Sequence, residues 1–338
     1  MIGTAQNGVA ISITGLGGHV PERVVTNDEL SQRMDTSDEW IMERTGIRER
    51  RIAADDEALS DLCLPAAEQA LEQAGVDAAS IDLIVVATVT PDMAFPSTGA
   101  LLADQLGAPD AAAYDLSAGC TGFMYAIAQA YGMLAGGLAS RALVIGGDVL
   151  SKIMDWTDRS TSVLFGDGVG AVVLERVPKG GFLGFELGAD GSGGPELYLP
   201  AGGSRAPVTA ETVAQGQHFV KMNGREVFKF ATRVLVSSAN QLLAKCGLTV
   251  SDVDVYVPHQ ANVRIIDYAV QKLGIPPERV VVNVDRYGNT SSGSIPLALV
   301  DAEADGRLRA GELVLMTGMG AGLTWGSGLI EWTNGGTR

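Results

Sequence analysis

The chain of 338 residues is 46% hydrophobic and 19% charged, a composition typical of globular proteins that are large enough for two domains. Its formal net charge of -16 argues against non-specific nucleic-acid binding, which depends on neutralising phosphates. No run reaches the roughly 18 apolar residues of a membrane helix, and the first residues lack the basic and apolar segments of a signal peptide. We therefore expect a cytoplasmic protein that binds neither membrane nor nucleic acid.

Near the start of the chain, residues 9–16 predict a strand, and His19 is predicted as a loop residue after it. Residues 36–51 predict a short capped helix that carries Trp40 beside Arg44 and a cluster of arginines. A solvated face explains most charge runs of this kind. The alternative is that Trp40 stacks on an adenine ring while Arg44 meets phosphates, so a nucleotide-bearing substrate such as coenzyme A stays open.

An internal repeat runs through the chain. A predicted helix over 60–74 is followed by a glycine, an aspartate and an apolar strand, and the same order recurs 172 positions later. The matched positions are Gly75 and Gly247, Asp82 and Asp254, and the strands over 142–147 and 314–319. The sequence therefore predicts an internal duplication.

Strands and helices alternate in both halves, which is typical of α/β sheets covered by helices. We predict two duplicated α/β halves, residues 1–176 and 177–338, packed on each other with a site at their junction. The Gly- and Pro-rich stretch over about 177–217 is predicted as loop rather than core.

Cys120 lies in the stretch 115–123, between a predicted strand and a predicted helix. At such a turn, free backbone N–H groups and the positive end of the helix dipole favour the thiolate, which is the reactive form of cysteine. The alternative is a small buried residue without chemistry, because free cysteines are often buried. Cys120 is our candidate nucleophile, provided that a base and an orienting group lie nearby.

Two further turns supply those groups. His259 follows a strand that ends at Val257, and the carboxyl ends of strands are where α/β folds bind ligands. A predicted strand over 280–284 leads to a turn of small polar residues that contains Asn289, and the repeat places this turn close to the position of Cys120. Pseudo-symmetry would bring Cys120, His259 and Asn289 to one junction.

Two other kinds of site are not supported. The glycines over 318–322 follow a strand, but β-type residues come after them rather than a helix, so a dinucleotide-binding fingerprint is not expected. A tight turn that presents backbone N–H groups to an oxyanion fits better. The cysteines Cys63, Cys120 and Cys246 are widely separated and lack C-x-x-C spacing, so neither disulfides nor a metal site is predicted.

Four stretches, 115–123, 258–266, 287–292 and 318–326, closely resemble the signatures of β-ketoacyl-acyl carrier protein synthase III, and the resemblance covers essentially the whole chain. It implies a thiolase-like fold of two duplicated halves with a layered α-β-α-β-α core, and a homodimer. It implies an acyltransferase that condenses an acyl-coenzyme A with malonyl-acyl carrier protein to begin fatty-acid synthesis. The implied reaction requires no metal and no redox cofactor.

The resemblance also implies roles for individual residues. Cys120 is acylated, His259 and Asn289 act in decarboxylation, and the backbone N–H groups of Cys120 and the Gly320-Ala321 turn hold the oxyanion. The implied contacts with coenzyme A are Trp40, Arg44, Arg159 and Asn262. Those with acyl carrier protein are Gln260, Ala261, Asn262, Val263 and Arg264, together with Arg225 and Lys229. Phe95 matches the position from which one subunit closes the acyl pocket of its partner.

A basic stripe fits an acidic carrier protein. Lys221, Arg225, Lys229 and Arg233 recur every four residues, with apolar residues on the other sides, so they are predicted to line one face of an amphipathic helix. Most such stripes are simply solvated, which is the alternative here. Arg225 departs from the asparagine that some relatives carry near the pantetheine tunnel.

Other functions remain open. A condensing enzyme of specialised metabolism would keep Cys120, His259 and Asn289 but join other acyl groups. A hydrolase with a Cys-His-Asn trio fits less well, because nothing around Cys120 resembles the known protease signatures. A non-catalytic subunit that binds carrier protein would have little reason to keep all three residues. The starter is left open between acetyl, propionyl and branched acyl groups.

Overall fold

The computed structural model describes residues 10–333. The strands are β1 (Ala10–His19), β2 (Val24–Thr26), β3 (Glu49–Arg51), β4 (Leu83–Ala87), β5 (Ala112–Leu116), β6 (Arg141–Asp148), β7 (Gly168–Val177), β8 (Gly181–Ala189), β9 (Leu197–Tyr198), β10 (Lys221–Met222), β11 (Val255–Pro258), β12 (Leu313–Gly320) and β13 (Thr324–Glu331). The helices are α1 (Asn27–Ser31), α2 (Asp38–Thr45), α3 (Leu59–Ala74), α4 (Thr98–Leu106), α5 (Gly122–Ala135), α6 (Ala210–Ala214), α7 (Gly224–Lys245), α8 (Val263–Leu273), α9 (Val284–Tyr287) and α10 (Ser294–Ala304).

Two main sheets hold most of the strands. The first has the order β1-β7-β6-β4-β5, with β4 parallel to both β5 and β6. The second has the order β11-β12-β13-β8, with β11 parallel to β12. All strands of the first sheet lie before residue 178, and all strands of the second lie after residue 180, while β2-β3 and β9-β10 form two small separate sheets.

The duplication that the sequence predicts is present in hydrogen-bond detail. The Asp82 carboxylate accepts the backbone N–H of Arg141 at 3.0 Å, and the Asp254 carboxylate accepts that of Leu313 at 2.9 Å. Each aspartate therefore ties the start of one parallel strand to the start of its neighbour, at positions 172 apart.

The helices form layers around the two sheets, because each buried strand turns alternate side chains to opposite faces. On β4, Val85 packs with α5 and α10, whereas Ile84 and Val86 pack with α3 and α4. On β11, Val257 faces α5 and α10, whereas Tyr256 packs with α7 and α8. The layered α-β-α-β-α core that the resemblance implies is thus confirmed. In the described part of the chain, no helix is long and apolar enough to cross a membrane.

Two strand predictions differ from the structure. The first strand continues to His19, which was expected in a loop, and Val9 lies outside the described residues. The predicted strand over 280–284 is absent: Val280 forms an isolated bridge with Tyr256, and Val284 already begins α9. The chain leaves the sheet there because the N–H groups of residues 283 and 284 donate to a side-chain amide instead of a strand.

The stretch over 177–217 is not all loop. Residues Gly181–Ala189 form β8, the edge strand beside β13. Phe182 and Phe185 are buried and stack with their ring centroids 4.9 Å apart, so this strand adds to the core despite its glycines. The basic stripe is also shorter than predicted: Lys221 lies in β10, and α7 starts at Gly224.

Candidate active site

Cys120 lies where β5 ends and α5 begins, in a single 3-10 turn formed by Gly119–Thr121. The second half repeats this arrangement at Ser291–Gly293, directly before α10. Gly119 and Ser291 both adopt the left-handed conformation, with φ of 56° and 51°. For a serine this conformation costs about 1 kcal/mol, which identifies Ser291 as a residue held in place by its surroundings. The two turns meet at the junction of the halves.

Burial controls the state of the nucleophile. Cys120 is 8% exposed, and this burial raises the pKa of its thiol to about 11, although the Ser291 hydroxyl pulls the pKa down. The negative charge of Asp148 raises the pKa further, and the N–H of Cys120 itself lowers it. The helix start was expected to favour the thiolate, and this expectation is wrong, because burial favours the neutral thiol instead. The thiol must therefore lose its proton before or while it acts as a nucleophile.

His259 follows β11 and is buried. Burial lowers the pKa of His259 to about 4, so the imidazole is neutral at pH 7. Its Nδ1 lies 2.5 Å from Oγ of Ser294. Its Nε2 is buried without a hydrogen-bond partner among the residues described. His259 also lines a cavity that reaches Cys120.

Asn289 is oriented by backbone bonds on both sides. Its N–H donates to the Leu164 carbonyl at 2.8 Å, and its own carbonyl accepts the Gly166 N–H at 3.0 Å. The side-chain oxygen accepts the Ser291 N–H at 2.8 Å. Because the oxygen is used in this way, the amide NH2 group is the part left to donate to a ligand in the cavity that Asn289 lines.

Two cavities meet at Cys120. The main cavity, of about 290 Å³, is lined at one end by Trp40 and Arg44 and at the other by Cys120, His259 and Asn289. A second cavity of about 220 Å³ also reaches Cys120 and is mainly apolar. Its apolar lining includes Leu150, Ile153, Met154, Leu197 and Val220. Sequence reasoning missed this cavity, although the spacing of Leu150, Ile153 and Met154 was an available signal.

The Gly320-Ala321 turn lies against the backbone of the nucleophile. A Cβ atom on Gly320 would lie 2.5 Å from the backbone nitrogen of Cys120, and one on Gly119 would lie 2.8 Å from that of Ala321. Only glycines permit this approach. Gly320 lines the main cavity and Ala321 the apolar one, so the turn stands between them. The oxyanion role of Cys120, Gly320 and Ala321 stays a prediction with suitable geometry.

The predicted coenzyme A residues gather at the entrance of the main cavity. The guanidinium carbons of Arg44 and Arg159 lie 4.5 and 5.1 Å from the centre of the Trp40 ring. Asn262 caps α8 by accepting the Arg264 N–H at 2.9 Å, and its amide donates to the Arg44 carbonyl at 3.0 Å. Asn262 therefore holds the wall of the entrance as well as lining it.

The predicted carrier-protein residues divide into exposed and buried ones. Arg225, Lys229, Arg233 and Arg264 are exposed, whereas Ala261 is buried and Val263 is half-buried. Gln260 is 1% exposed, and its amide donates to the carbonyls of Pro258 and Val281 and accepts the N–H groups of Asn283 and Val284. Its side chain is fully used inside the protein, so assigning Gln260 to the carrier-protein contact was wrong.

Phe95 lies on the loop after β4 and is 85% exposed. It lies outside the linings of both cavities of its own chain. Its predicted role in the acyl pocket of a partner subunit stays a prediction. Among residues 10–333, no cluster of three or more His, Cys, Asp or Glu side chains is arranged to hold a metal ion.

Two family models match the chain. The model described as 3-oxoacyl-[acyl-carrier-protein (ACP)] synthase III matches residues 114–191, which include Cys120. The model for the C terminal of the same enzyme matches residues 243–332, which include His259 and Asn289.

Individual relatives agree with these models. A β-ketoacyl-[acyl-carrier-protein] synthase III of Symbiobacterium thermophilum is 58% identical over 95% of this chain and 98% of its own. The solved structure of a synthase III from Thermus thermophilus has a TM-score of 0.89 at 49% identity, covering 96% of this chain and 99% of its own.

A structure with another title is also similar. The priming β-ketosynthase from the R1128 polyketide biosynthetic pathway has a TM-score of 0.88 at 38% identity, covering 95% of this chain and 96% of its own. The relatives in both comparisons therefore match nearly end to end. On these grounds the chain belongs to the β-ketoacyl-[acyl-carrier-protein] synthase III family of acyl-transferring condensing enzymes.

Proposed function

We propose that the protein condenses a short acyl group from an acyl-coenzyme A with malonyl-acyl carrier protein, giving 3-oxoacyl-acyl carrier protein, carbon dioxide and coenzyme A, and so begins fatty-acid synthesis. One observation carries the proposal: a buried cysteine sits where the main cavity meets an apolar one, and His259 and Asn289 line the main cavity. This arrangement suits a nucleophile that holds an apolar acyl chain on one side and receives a polar carrier on the other.

In the first step Sγ of Cys120 forms a bond to the carbonyl carbon of the acyl thioester. The bond from that carbon to the sulfur of coenzyme A breaks, and the thiol proton of Cys120 ends on the departing sulfur. The acyl chain enters the apolar cavity. The transient oxyanion is held by the N–H groups at Cys120 and at the Gly320-Ala321 turn, which the close approach of the two backbones favours.

In the second step the malonyl thioester loses carbon dioxide, and the electrons of the broken C–C bond form an enolate. The enolate oxygen accepts hydrogen bonds from Nε2–H of His259 and from the NH2 group of Asn289. A neutral imidazole can donate in this way, and its burial keeps it neutral. The enolate carbon then attacks the acyl carbonyl, the bond to Sγ of Cys120 breaks, and the sulfur takes up a proton.

Residues at and around the entrance of the main cavity suit the binding of both coenzyme A and acyl carrier protein. Trp40, with Arg44 and Arg159 over its ring, suits the adenine and phosphates of coenzyme A. Arg225, Lys229 and Arg233 lie along the exposed side of α7, and Arg264 lies at the cavity mouth. In a chain with a net charge of -16, these arginines and the lysine form a local basic surface for an acidic carrier protein.

We further propose a homodimer in the cytoplasm, built of the two halves 1–176 and 177–338 in each subunit. Strand β5 ends its sheet, so it offers an unpaired edge to a second copy. The nearby loop exposes Met93 and Phe95. Val89, on the same loop, lines the apolar cavity, so a partner's Phe95 has a route to close that cavity.

Intact-protein mass spectrometry tests the proposal. The protein is incubated with a panel of straight and branched acyl-coenzyme A species and then with malonyl-acyl carrier protein. We expect a mass gain of one acyl group on Cys120, lost again with carbon dioxide release. Cys120→Ala removes the gain, while Cys246→Ala, a half-buried cysteine in α7's C-cap, leaves it. The absence of any adduct across the panel would reject the function and favour a non-catalytic role.

A specialised condensing enzyme is the second candidate, because the polyketide priming synthase is 38% identical over nearly the whole chain. Both candidates form an acyl-enzyme, and they differ in the acyl group and the carrier. Discharge of acetyl, propionyl or short branched groups onto the carrier of fatty-acid synthesis supports the main proposal. Discharge only onto a dedicated carrier, or only of other acyl groups, supports the second.

A further inference from the structure

The two ring nitrogens of His259 have different surroundings. Nδ1 lies 2.5 Å from Oγ of Ser294, at the first residue of α10. Nε2 is buried and has no protein partner within the described part of the chain. In a neutral imidazole one nitrogen carries the proton and the other accepts a hydrogen bond. The hydrogen bond at Nδ1 therefore decides which of the two nitrogens carries the proton.

The Ser294 hydroxyl is set up to donate to Nδ1. Its oxygen already accepts the backbone N–H of Gln260 at 3.3 Å. A hydroxyl has one proton, and between residues 10 and 333 Nδ1 of His259 is the only acceptor within hydrogen-bond distance of it. If Nδ1 carried the proton instead, the hydroxyl would accept twice and its own proton would be buried without a partner, which costs about 1–3 kcal/mol.

We propose that Ser294 is a positioning residue that holds His259 as the Nε2–H tautomer, so that the imidazole enters the reaction as a hydrogen-bond donor and not as a base. The proposal rests on the proposed function, because the acceptor for Nε2–H is the developing enolate oxygen. Ser294 is 2% exposed and lines neither cavity at Cys120, so it acts only through His259.

The sequence of the first half supports a role beyond packing. The positions equivalent to His259 and Ser294, each 172 residues earlier, are Ala87 and Gly122. A Cβ on Gly122 would lie 3.1 Å from Cβ of Ala87, so the same two backbone positions are neighbours in both halves. Alanine and glycine fill the equivalent space in the first half, where no histidine needs to be oriented.

Nitrogen NMR of the imidazole rings reads the tautomer directly, without any turnover. The chain has only three histidines, and a His259→Gln variant assigns the ring signals. We expect the native protein to carry the proton on Nε2 of His259, and Ser294→Ala to lose this single tautomer. Ser238→Ala is the matched control, because it removes a buried serine hydroxyl that bonds to Ser327 at 2.8 Å in another part of the core. A native ring protonated on Nδ1 would overturn the proposal.

The two half-reactions give the functional readout. For Ser294→Ala we expect acylation of Cys120 to stay within about twofold while decarboxylation of malonyl-acyl carrier protein falls about 10- to 100-fold. Ser294→Thr keeps the hydroxyl and should recover most of the rate. Unchanged decarboxylation, or an equal loss of both half-reactions in a folded protein, would reject the role. If native Cys120 takes no acyl group at all, the proposed function fails, while the NMR result still decides the tautomer.

Discussion

The two halves of the molecule build the same junction and give it different side chains. On one side of the junction, the carboxylate of Asp148, at the end of β6 in the first half, accepts the N–H of Ser292 from the second half at 3.3 Å and its hydroxyl at 2.9 Å. The equivalent pair 172 positions away is Gly320 and Cys120, where glycine lies against the N–H of the nucleophile. A carboxylate at Gly320 would occupy that N–H and repel an oxyanion. The duplicated backbone thus supports structure on one side and leaves the other free for chemistry.

The largest effect should come from closing the space at Gly320. In Gly320→Ala the new Cβ would lie 2.5 Å from the Cys120 nitrogen, so the two backbones must separate. We expect acylation of Cys120 to fall about 100- to 1000-fold, the usual cost of losing an oxyanion donor. Time-resolved intact mass measures the rate.

The matched control is Gly318→Ala in the same strand. Its Cβ would meet the end of the Ile295 side chain at 3.3 Å, which can move. Equal acylation rates for the two variants would mean that the approach at Gly320 has no special role.

The next largest effect should come from Asp148, which occupies the position equivalent to Gly320 and has a structural role. Besides Ser292, its carboxylate accepts the Thr88 and Thr90 hydroxyls and the Val89 N–H. Asp148→Ala leaves these buried donors without an acceptor, so we expect the free energy of unfolding to fall by at least about 2 kcal/mol. Urea unfolding measures it. Asp56→Ala, at an exposed carboxylate, should change little, and similar losses for both variants would contradict the role.

His259 should make stability depend on pH, whereas its equivalent Ala87 cannot. The pKa of His259 is about 4 in the folded protein, whereas a histidine in an unfolded chain has a pKa of about 6.5. Between these values the unfolded chain binds a proton at His259 that the folded protein does not bind. Stability is complete above pH 6.5 and falls as the pH drops toward 4, by up to about 3 kcal/mol. His259→Gln should remove this part of the slope. Parallel slopes for the two proteins in urea unfolding would reject the prediction.

The last prediction concerns the reactivity of free Cys120 rather than the effect of a substitution. Because its pKa is about 11, its alkylation by iodoacetamide should rise about tenfold for each pH unit between pH 7 and 10. Peptide mass mapping follows Cys120 separately from Cys246. A rate that is already constant at pH 7 would mean that the helix start outweighs burial after all.

Much of this arrangement could be predicted from sequence, because the strands and turns repeat. Asp82 and Asp254 mark the same strand start in both halves, and apolar strands buried on two faces are easy to recognise. Cys120 and His259 could be found because each follows a strand end that must face the junction. The junction and its three central side chains follow from this pattern, whereas the layered core was expected from the family resemblance.

Other features depend on contacts that the sequence does not display. The glycines of β8 led to a loop prediction, although the buried side chains of Phe182 and Phe185 anchor this segment as a strand in the core. Gln260 looks like a surface residue, yet it satisfies four backbone groups where the chain leaves the sheet. The pKa of Cys120 depends on its burial, which short-range signals such as a helix start do not report.

The turn at Gly320-Ala321 has a consequence for the order of events. It stands between the two cavities at Cys120, and the side chains that suit the two carriers, Trp40, Arg44 and Arg264, all line the main one, so both thioester carriers reach Cys120 through one mouth. Free coenzyme A has to leave before the second carrier arrives, which makes the kinetics ping-pong with parallel double-reciprocal lines. Each carrier can also bind the form of the protein, free or acylated, with which only the other carrier reacts. A large excess of malonyl-acyl carrier protein therefore slows turnover, because it occupies the free protein before Cys120 is acylated.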